Sequence, residues 1–348
     1  MGYGRYVVVR GLNALLVLFV AILITVSVFS VLETQQLEAR AREELQNILR
    51  GMKIKDEEEM RRIAQKLWES LVERYGLNEP LYIKVFKWMY RSLILDFGEA
   101  RQAYPAYGNT KDVRSMILTA LARTALLFTT AELIALAIGI FLGLFAAYRR
   151  GGFFDRFLSV FALTTNSIPM YWLGMILILF FAYTLNIFPP RSWEYVPEDV
   201  KANAFLLFTW YLHHMALPLI TIIFVAFGGL AWYTRNIALG TFQEDFVMVA
   251  WAKGLPEKTV LYKHVLRAIS PPITTMSLFA IVGSFFGAII SEVVFQWPGM
   301  GRLYYSALSN TDTPVVLGVT YLSIILIVLT KYILDLIYGF LDPRIKTA

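Results

Sequence analysis

The 348-residue chain contains no cysteine and only three histidines. The first absence excludes a disulfide framework, thiolate metal sites and thiol catalysis, and the second leaves little for a histidine-rich metal centre. His213 and His214 are adjacent, which on a helix turns them about 100° apart, and His264 is remote in sequence. Charge is scarce as well. Charged residues make up 17% of the chain and hydrophobic ones 57%, with a mean hydropathy of +0.56, whereas a water-soluble domain carries about a quarter charged residues. Of the 32 basic and 26 acidic residues, 20 fall between Glu33 and Glu79. What remains elsewhere is too sparse to coat a globular surface, so lipid solvates most of the chain. The dipeptide Gly-Lys does not occur, which removes any P-loop, and there is no Gly-x-Ser-x-Gly elbow or His-Glu-x-x-His pair. The chain therefore brings no ATP site and no catalytic constellation of its own. Its net charge of +6 is scattered at the ends of apolar runs instead of forming a stripe, a membrane topology signal and not a nucleic-acid footprint.

What is present is a series of spanning-length apolar runs. The first, Leu12–Leu32, follows Arg5 and Arg10 and continues past 18 residues into Glu33, longer than a signal-peptide core, so it reads as an uncleaved first helix. Five more lie at about Thr119–Tyr148, Phe157–Ile187, Tyr211–Tyr233, Ile273–Phe295 and Val315–Leu341. The expected fold is an all-α integral membrane protein with six transmembrane helices. Arg5 and Arg10, Arg149, Arg150 and Arg156, the group Arg235, Lys253, Lys258, Lys263 and Arg267, and Arg344 with Lys346 mark one side; Arg191, Lys201 and Arg302 are the basic residues of the short loops opposite. The excess predicts that both termini are cytoplasmic. Residues 1–32 then form the N-terminus and first helix, 33–115 an extracytoplasmic helical insert, and 116–348 a five-helix core. Within the insert, Met60, Ile63, Ala64, Leu67, Leu71 and Val72 recur at helical spacing, which predicts an amphipathic helical hairpin broken near Gly51 and ending at Gly76–Pro80. A protective cap and a partner-docking surface are both open for it. The absence of cysteine and the density of Glu, Arg and Lys here also fit a high-temperature habitat.

The connection at about 236–270 is long for a polytopic bundle and is not simply polar. A short helix starting near Asp245, a break at Lys253-Gly254-Leu255-Pro256 and a second short helix from Glu257 to about Ala268 are expected. An apolar stripe ending in a glycine turn suits a rigid contact to another protein; a helix lying on the membrane surface has the same pattern.

These residues resemble a known family. Asp245-Phe246 with Ala250-Trp251-Ala252-Lys253-Gly254-Leu255 and His264-Val265-Leu266-Arg267 is similar to the cytoplasmic coupling segment of ABC importer permeases of the dipeptide/oligopeptide subfamily. Further stretches resemble the same subfamily: Tyr75–Leu81, Asp96-Phe97-Gly98, Arg149-Arg150-Gly151 with Asp155-Arg156, Ser167-Ile168-Pro169 with Trp172-Leu173-Gly174, Glu292–Phe295 through Trp297–Arg302, and Asp335 with Leu341-Asp342-Pro343-Arg344. The general importer motif has Glu-Ala-Ala before its glycine, and Met248, Val249 and Ala250 stand there. The insert after Glu33 has no counterpart in the pattern.

The resemblance implies one of two homologous permease subunits that pair to form a translocation path, with two ATPase subunits on the cytoplasmic face of the pair and an extracytoplasmic binding protein that delivers peptides. No cofactor belongs to the chain itself; ATP and magnesium sit on the partner ATPases, and membrane lipid is the remaining partner. Coupling falls to the segment from Asp245 to Leu255: Phe246, Val249 and Ala250 by packing, Asp245 and Lys253 by polar contact, Ala252 and Leu255 beside them, and Gly254 as the turn. Candidates for the pathway or its gate are Glu132, the acidic residue well inside a predicted span, Asn166, Ser167 and Pro169 in a polar interruption, and Glu292 and Trp297 near the outer end of the fifth span. Gly139/Gly143 and Gly283/Gly287 have the four-residue spacing of close helix packing. Oligosaccharides are the alternative substrate. An ion-coupled secondary transporter using Glu132 is the alternative of another class, although no internal repeat supports it.

Overall fold

A computed structural model describes residues 3–52, 57–108, 110–194 and 196–341. Lys53, Lys55 and Asp56 of the charged cluster, and Asp342-Pro343-Arg344 and Lys346 at the C-terminal end, lie outside the described residues. In order the helices are α1 (Tyr3–Gly51), α2 (Glu57–Arg74), α3 (Leu81–Leu93), α4 (Val113–Tyr148), α5 (Phe153–Ser167), α6 (Met170–Leu177), α7 (Glu198–Lys201), α8 (Ala204–Thr241), α9 (Asp245–Ala252), α10 (Glu257–Thr259), α11 (Leu266–Gly283), α12 (Ile289–Val294), α13 (Met300–Ser309) and α14 (Thr313–Leu341). Among the described residues there is no strand, and Glu99 and Asp112 form an isolated antiparallel bridge. Five helical stretches are long and apolar enough to cross a membrane, and the bent pair α5–α6 supplies a sixth if it crosses as one span. The chain divides into two compact units.

The first unit holds the chain up to Tyr104, the stretch ending at Met116 and the residues from Ala307 onward. Helix α1 is 49 residues long, about 73 Å at 1.5 Å per residue and more than twice the hydrocarbon thickness. Between Gly11 and Gly51 it meets neither proline nor glycine, so nothing ends it where Leu32 gives way to Glu33, and it runs on as the first arm of the expected hairpin. Helix α2 opens with Glu57, Glu58 and Glu59, charges that favour a helix N-terminus, and packs back on α1. There Arg74 pairs with Glu44 at 3.1 Å and the Tyr75 hydroxyl donates to the same carboxylate at 2.7 Å. Helix α14 lies along α1, where Arg10 meets Asp335 at 3.5 Å and Tyr6 donates to the Asp335 carbonyl at 3.1 Å. Further along α1, Gln36 accepts from Arg101 at 2.8 Å and Thr313 at 2.7 Å. Buried Asp312 accepts from the Arg101 amide at 2.9 Å and the Tyr104 hydroxyl at 3.2 Å, and burial pushes the Tyr104 phenol up to about 12. Asp96-Phe97-Gly98 is a turn: Asp96 accepts from the Gly98 amide at 3.0 Å and pairs with Arg91 at 3.1 Å, contacts that hold its carboxyl below the usual range. Phe97 is buried against the Tyr321 ring.

The second unit runs from Ile117 to Ser306, with Pro105–Gly108. Helices α4, α5 and α6 pack around α8, α4 and α5 through glycine contacts. A Cβ at Gly139 would come within 2.7 Å of the Leu230 Cβ, and one at Gly143 would overlap the Ala231 carbonyl. The first predicted glycine pair is thus a close helix contact.

The third span bends at its polar interruption, as Pro169 there allows: α5 and α6 meet at 99°, because Ile168, preceding Pro169, is extended with φ −90° and ψ 122°, as proline demands of its predecessor. The structure corrects three expectations in this unit. The second short helix expected at Glu257–Ala268 does not stand alone; α10 passes through a π-helical stretch, Val260–Val265, into α11, and the helical run continues to Phe286. The fifth span accordingly stops at Phe286, not Phe295. Gly287, at φ +60°, ends the helical run in a turn, and α12 is a separate short helix. Gly283/Gly287 is therefore not a packing pair: a Cβ on Gly283 would meet nothing within 4 Å, and Gly287 is a turn residue.

Candidate functional site

Between α8 and α10 the chain makes one short surface helix. Helix α9 starts after extended Glu244 and carries Asp245 in its first turn, a charge that suits a helix N-terminus. It ends in a glycine cap: Lys253 N–H donates to the Val249 carbonyl at 3.0 Å, Leu255 N–H to the Ala250 carbonyl at 3.3 Å, and Gly254 takes φ +71°. This left-handed position explains the glycine, since a Cβ there would meet nothing within 4 Å.

The two faces of α9 differ. Val247 and Ala250 are buried in a cluster with Leu144, Ala147, Ala238, Val260, Leu261, Val265 and Ile269, which fixes the helix to the ends of α4, α8 and α11. Phe246, Met248 and Val249 are about half exposed, and Trp251 is also open while stacking on Tyr148 with ring centroids 6.5 Å apart. Asp245, Ala252, Lys253 and Gly254 are exposed, Leu255 is half-buried, and neither Asp245 nor Lys253 makes an ion pair among the described residues. The expected coupling set thus divides. Ala250 faces inward and serves as an anchor, whereas Phe246 and Val249 face outward beside Met248 and Trp251, two residues of the same motif to which the sequence assigned no coupling role.

The polar interruption at the end of α5 is equally mixed. Asn166, Ser167 and Pro169 are exposed, and Thr164 and Ser167 turn their hydroxyls onto carbonyls four residues back, Val160 at 2.9 Å and Leu163 at 2.9 Å. Thr165 is buried against Gly228, where a Cβ would collide with its hydroxyl, and a Cβ on Gly229 would stand 3.1 Å from the Asn166 amide. Gly228-Gly229 therefore lets α5 approach α8. Glu132 is half-buried with no hydrogen-bond partner among the described residues. At the other end of α5, Asp155, 3% exposed, takes both Nε and Nη2 of Arg235, the latter at 2.9 Å, and accepts the Gly151 amide at 2.8 Å. Both residues are visible in the sequence, one in a motif and one as a topology charge, yet 80 positions separate them and nothing local pairs them.

Glu292 is not exposed at an interface, as its place near the end of a span implies, but 1% exposed. Its Oε1 accepts the Thr124 hydroxyl at 2.8 Å and its Oε2 the Arg302 amide at 2.9 Å, while Thr124 also accepts the Met300 amide at 2.8 Å. Three glycines wall this socket: Cβ atoms on Gly287 and Gly299 would each lie 2.6 Å from the carboxyl group, and one on Gly301 2.6 Å from the Ile289 backbone. Trp297, also buried, donates its indole N–H to the Arg123 carbonyl at 3.1 Å. Tyr107 donates to the Gly299 carbonyl at 3.0 Å, and the Arg123 guanidinium stacks on Trp193 at 4.0 Å. Glu292 and Trp297 are thus both buried and hydrogen-bonded within this polar core. Thr124, which sequence analysis missed, is an unremarked hydroxyl inside an apolar run.

These elements define a polytopic helical membrane protein that presents a small rigid helix on its surface. Residues 139–347 match the family of binding-protein-dependent transport system inner membrane components, and the chain belongs to that family. It is 32% identical over 287 residues to the oligopeptide transport system permease protein AppB of Bacillus subtilis (strain 168), an alignment covering 82% of this chain and 87% of that protein. It is 29% identical over 301 residues to the dipeptide transport system permease protein DppB of Escherichia coli (strain K12), and 29% identical over 298 residues to the di/tripeptide transport system permease protein DppB of Pseudomonas aeruginosa (strain UCBPP-PA14), each alignment covering 82% of this chain and 87% of the relative. The protein is a multi-pass inner-membrane permease component. The helical hairpin of α1 and α2 lies outside the residues that match the family.

Proposed function

We propose that this chain forms half of the translocation path of an ATP-driven importer, paired with a second permease subunit and moved by two ATPase subunits on the cytoplasmic face, one of which receives α9. The single observation that carries this reading is the division of α9 into a buried face and an exposed apolar face of Phe246, Met248, Val249 and Trp251. A helix fastened to three long helices and open on its other side transmits a push as a rigid body, and a shift between inward-open and outward-open states requires such differential contacts. Asp245 and Lys253 add polar contacts at the two ends. Both termini and α9 are cytoplasmic, and the hairpin of α1 and α2 is extracytoplasmic, the side from which a binding protein delivers substrate. The substrate class is di- and oligopeptides, supported by the transport systems for which the relatives are named. Glu132, Asn166, Ser167 and Pro169 contribute to the path. ATP and magnesium belong to the partner subunits.

The test is co-purification. The wild-type chain should bring down an ATPase, and uptake should stop when that ATPase's nucleotide site is disabled. Phe246→Asp and Gly254→Val should insert normally but lose both the ATPase and uptake. Retention of the ATPase and of uptake by both variants would remove α9 as the coupling element.

A further inference from the structure

Helix α3 is turned inside out for a helix in water. Its exposed face carries Tyr82 (73% exposed), Phe86 (68%), Tyr90 (60%) and Leu93 (62%), spaced 4, 4 and 3 residues apart so that they share one side of the helix. No charged residue interrupts that side. The charged and hydrogen-bonding residues are committed elsewhere: Trp88 donates its indole N–H to Glu33 at 2.8 Å, Lys84 donates to Thr34 at 3.2 Å, Lys87 pairs with Glu79 at 2.6 Å, and Arg91 pairs with Asp96 at 3.1 Å.

The first two contacts also fix the height of the helix. Lys84 and Trp88 lie at the middle of α3 and bond to consecutive residues of α1, Glu33 and Thr34. These are the positions at which the exposed apolar surface of α1, with Val28, Val31 and Leu32 as its last members, gives way to charge. The centre of α3 is therefore level with the end of the exposed apolar surface of α1.

We propose that α3 is an interfacial membrane anchor: it lies at the lipid–water boundary with Tyr82, Phe86, Tyr90 and Leu93 embedded in the headgroup and upper acyl region, about 5–10 Å deep. Tyrosine and tryptophan favour this layer, where an apolar ring and a polar tip are both accommodated. Lys87 and Arg91 are paired with Glu79 and Asp96, and Lys84 is turned onto Thr34 of α1, so the anchor works by apolar insertion and does not require anionic lipid. It holds the base of the α1–α2 hairpin against the bilayer.

The absence of cysteine makes the test direct. Phe86→Cys and, independently, Tyr82→Cys in the full chain are labelled with an environment-sensitive fluorophore, with Arg62→Cys on α2 as the water-exposed control and the wild type as the background. The chain, with whatever subunits accompany it, is placed in phosphatidylcholine vesicles carrying a nitroxide near the headgroup. Labels at 86 and 82 should be quenched by the nitroxide lipid roughly twofold more than the label at 62, and should be protected from aqueous iodide. Free access to iodide with no lipid quenching would overturn the proposal. So would protection from both quenchers, which means protein covers α3, or protection appearing only when a binding protein is added. Transport is not the readout, so failure here leaves the importer reading untouched.

Discussion

Glu292 offers four acceptor positions to a pocket whose donors are a hydroxyl and backbone amides, and it is enclosed by positions where a Cβ would strike it. Leaving a buried donor unpaired costs about 1–3 kcal/mol. Glu292→Ala strands the Thr124 hydroxyl and the Arg302 amide and opens a cavity, so its apparent melting midpoint in detergent should drop well below that of the wild type, by the equivalent of about 3 kcal/mol or more. Glu292→Gln, which keeps the volume and one carbonyl acceptor, should lose much less. Equal midpoints for Ala and wild type would mean that the socket does not contribute to stability. Sequence alone marked Glu292 as a polar residue near a span end, where exposure is the ordinary expectation. Its burial depends on Gly287 turning the chain, a conformation that the apolar run containing it does not announce.

At the scale of elements, the same contrast separates helix existence from helix continuity. Length and hydropathy revealed the spans, and Pro169 marked a break between α5 and α6, although its size of 99° comes from the fold. Besides the close packing at Gly228-Gly229, the Asp155–Arg235 pair links α5 to α8, with Asp155 held by two guanidinium nitrogens and nearly out of solvent. Removing one partner of a buried pair leaves an unpaired charge and costs about 3 kcal/mol, whereas replacing both by apolar groups is far less damaging. Asp155→Leu should therefore lower the apparent melting midpoint of the purified protein more than the double variant Asp155→Leu/Arg235→Met. If the double variant is as unstable as the single one, the pair is not the source of the cohesion. Helix α9 follows the same logic: the short helix and its glycine stop were legible between Asp245 and Leu255, while the assignment of Ala250 to the inner face and Met248 to the outer one required the helices beneath it.

For the whole molecule, the distribution of basic residues makes a topological statement that single-cysteine labelling can check. In intact cells an impermeant maleimide should modify Asp199→Cys and Arg62→Cys, and should reach Lys258→Cys only after the membrane is opened. Labelling of Lys258→Cys from outside would invert the proposed orientation and rule out α9 as a cytoplasmic coupling element. The orientation matters to that proposal because α9 is the segment with few charges and an open apolar face.

The sequence by itself determined that this is an all-helical membrane protein, that its charge is concentrated in one hairpin, and that the segment from Asp245 to Leu255 is a helix ended by glycine. These features are local or additive: hydropathy sums over a span, and a glycine cap is written in a few adjacent residues. Only the tertiary structure decided that Glu292 is buried, that Asp155 meets Arg235, that Gly228-Gly229 admits the end of α5, and that α3 turns its aromatic face outward at the level of Glu33. Each of these depends on residues tens to hundreds of positions apart. Their pairing is set by which helices pack together, and no pattern within a single helix contains that information.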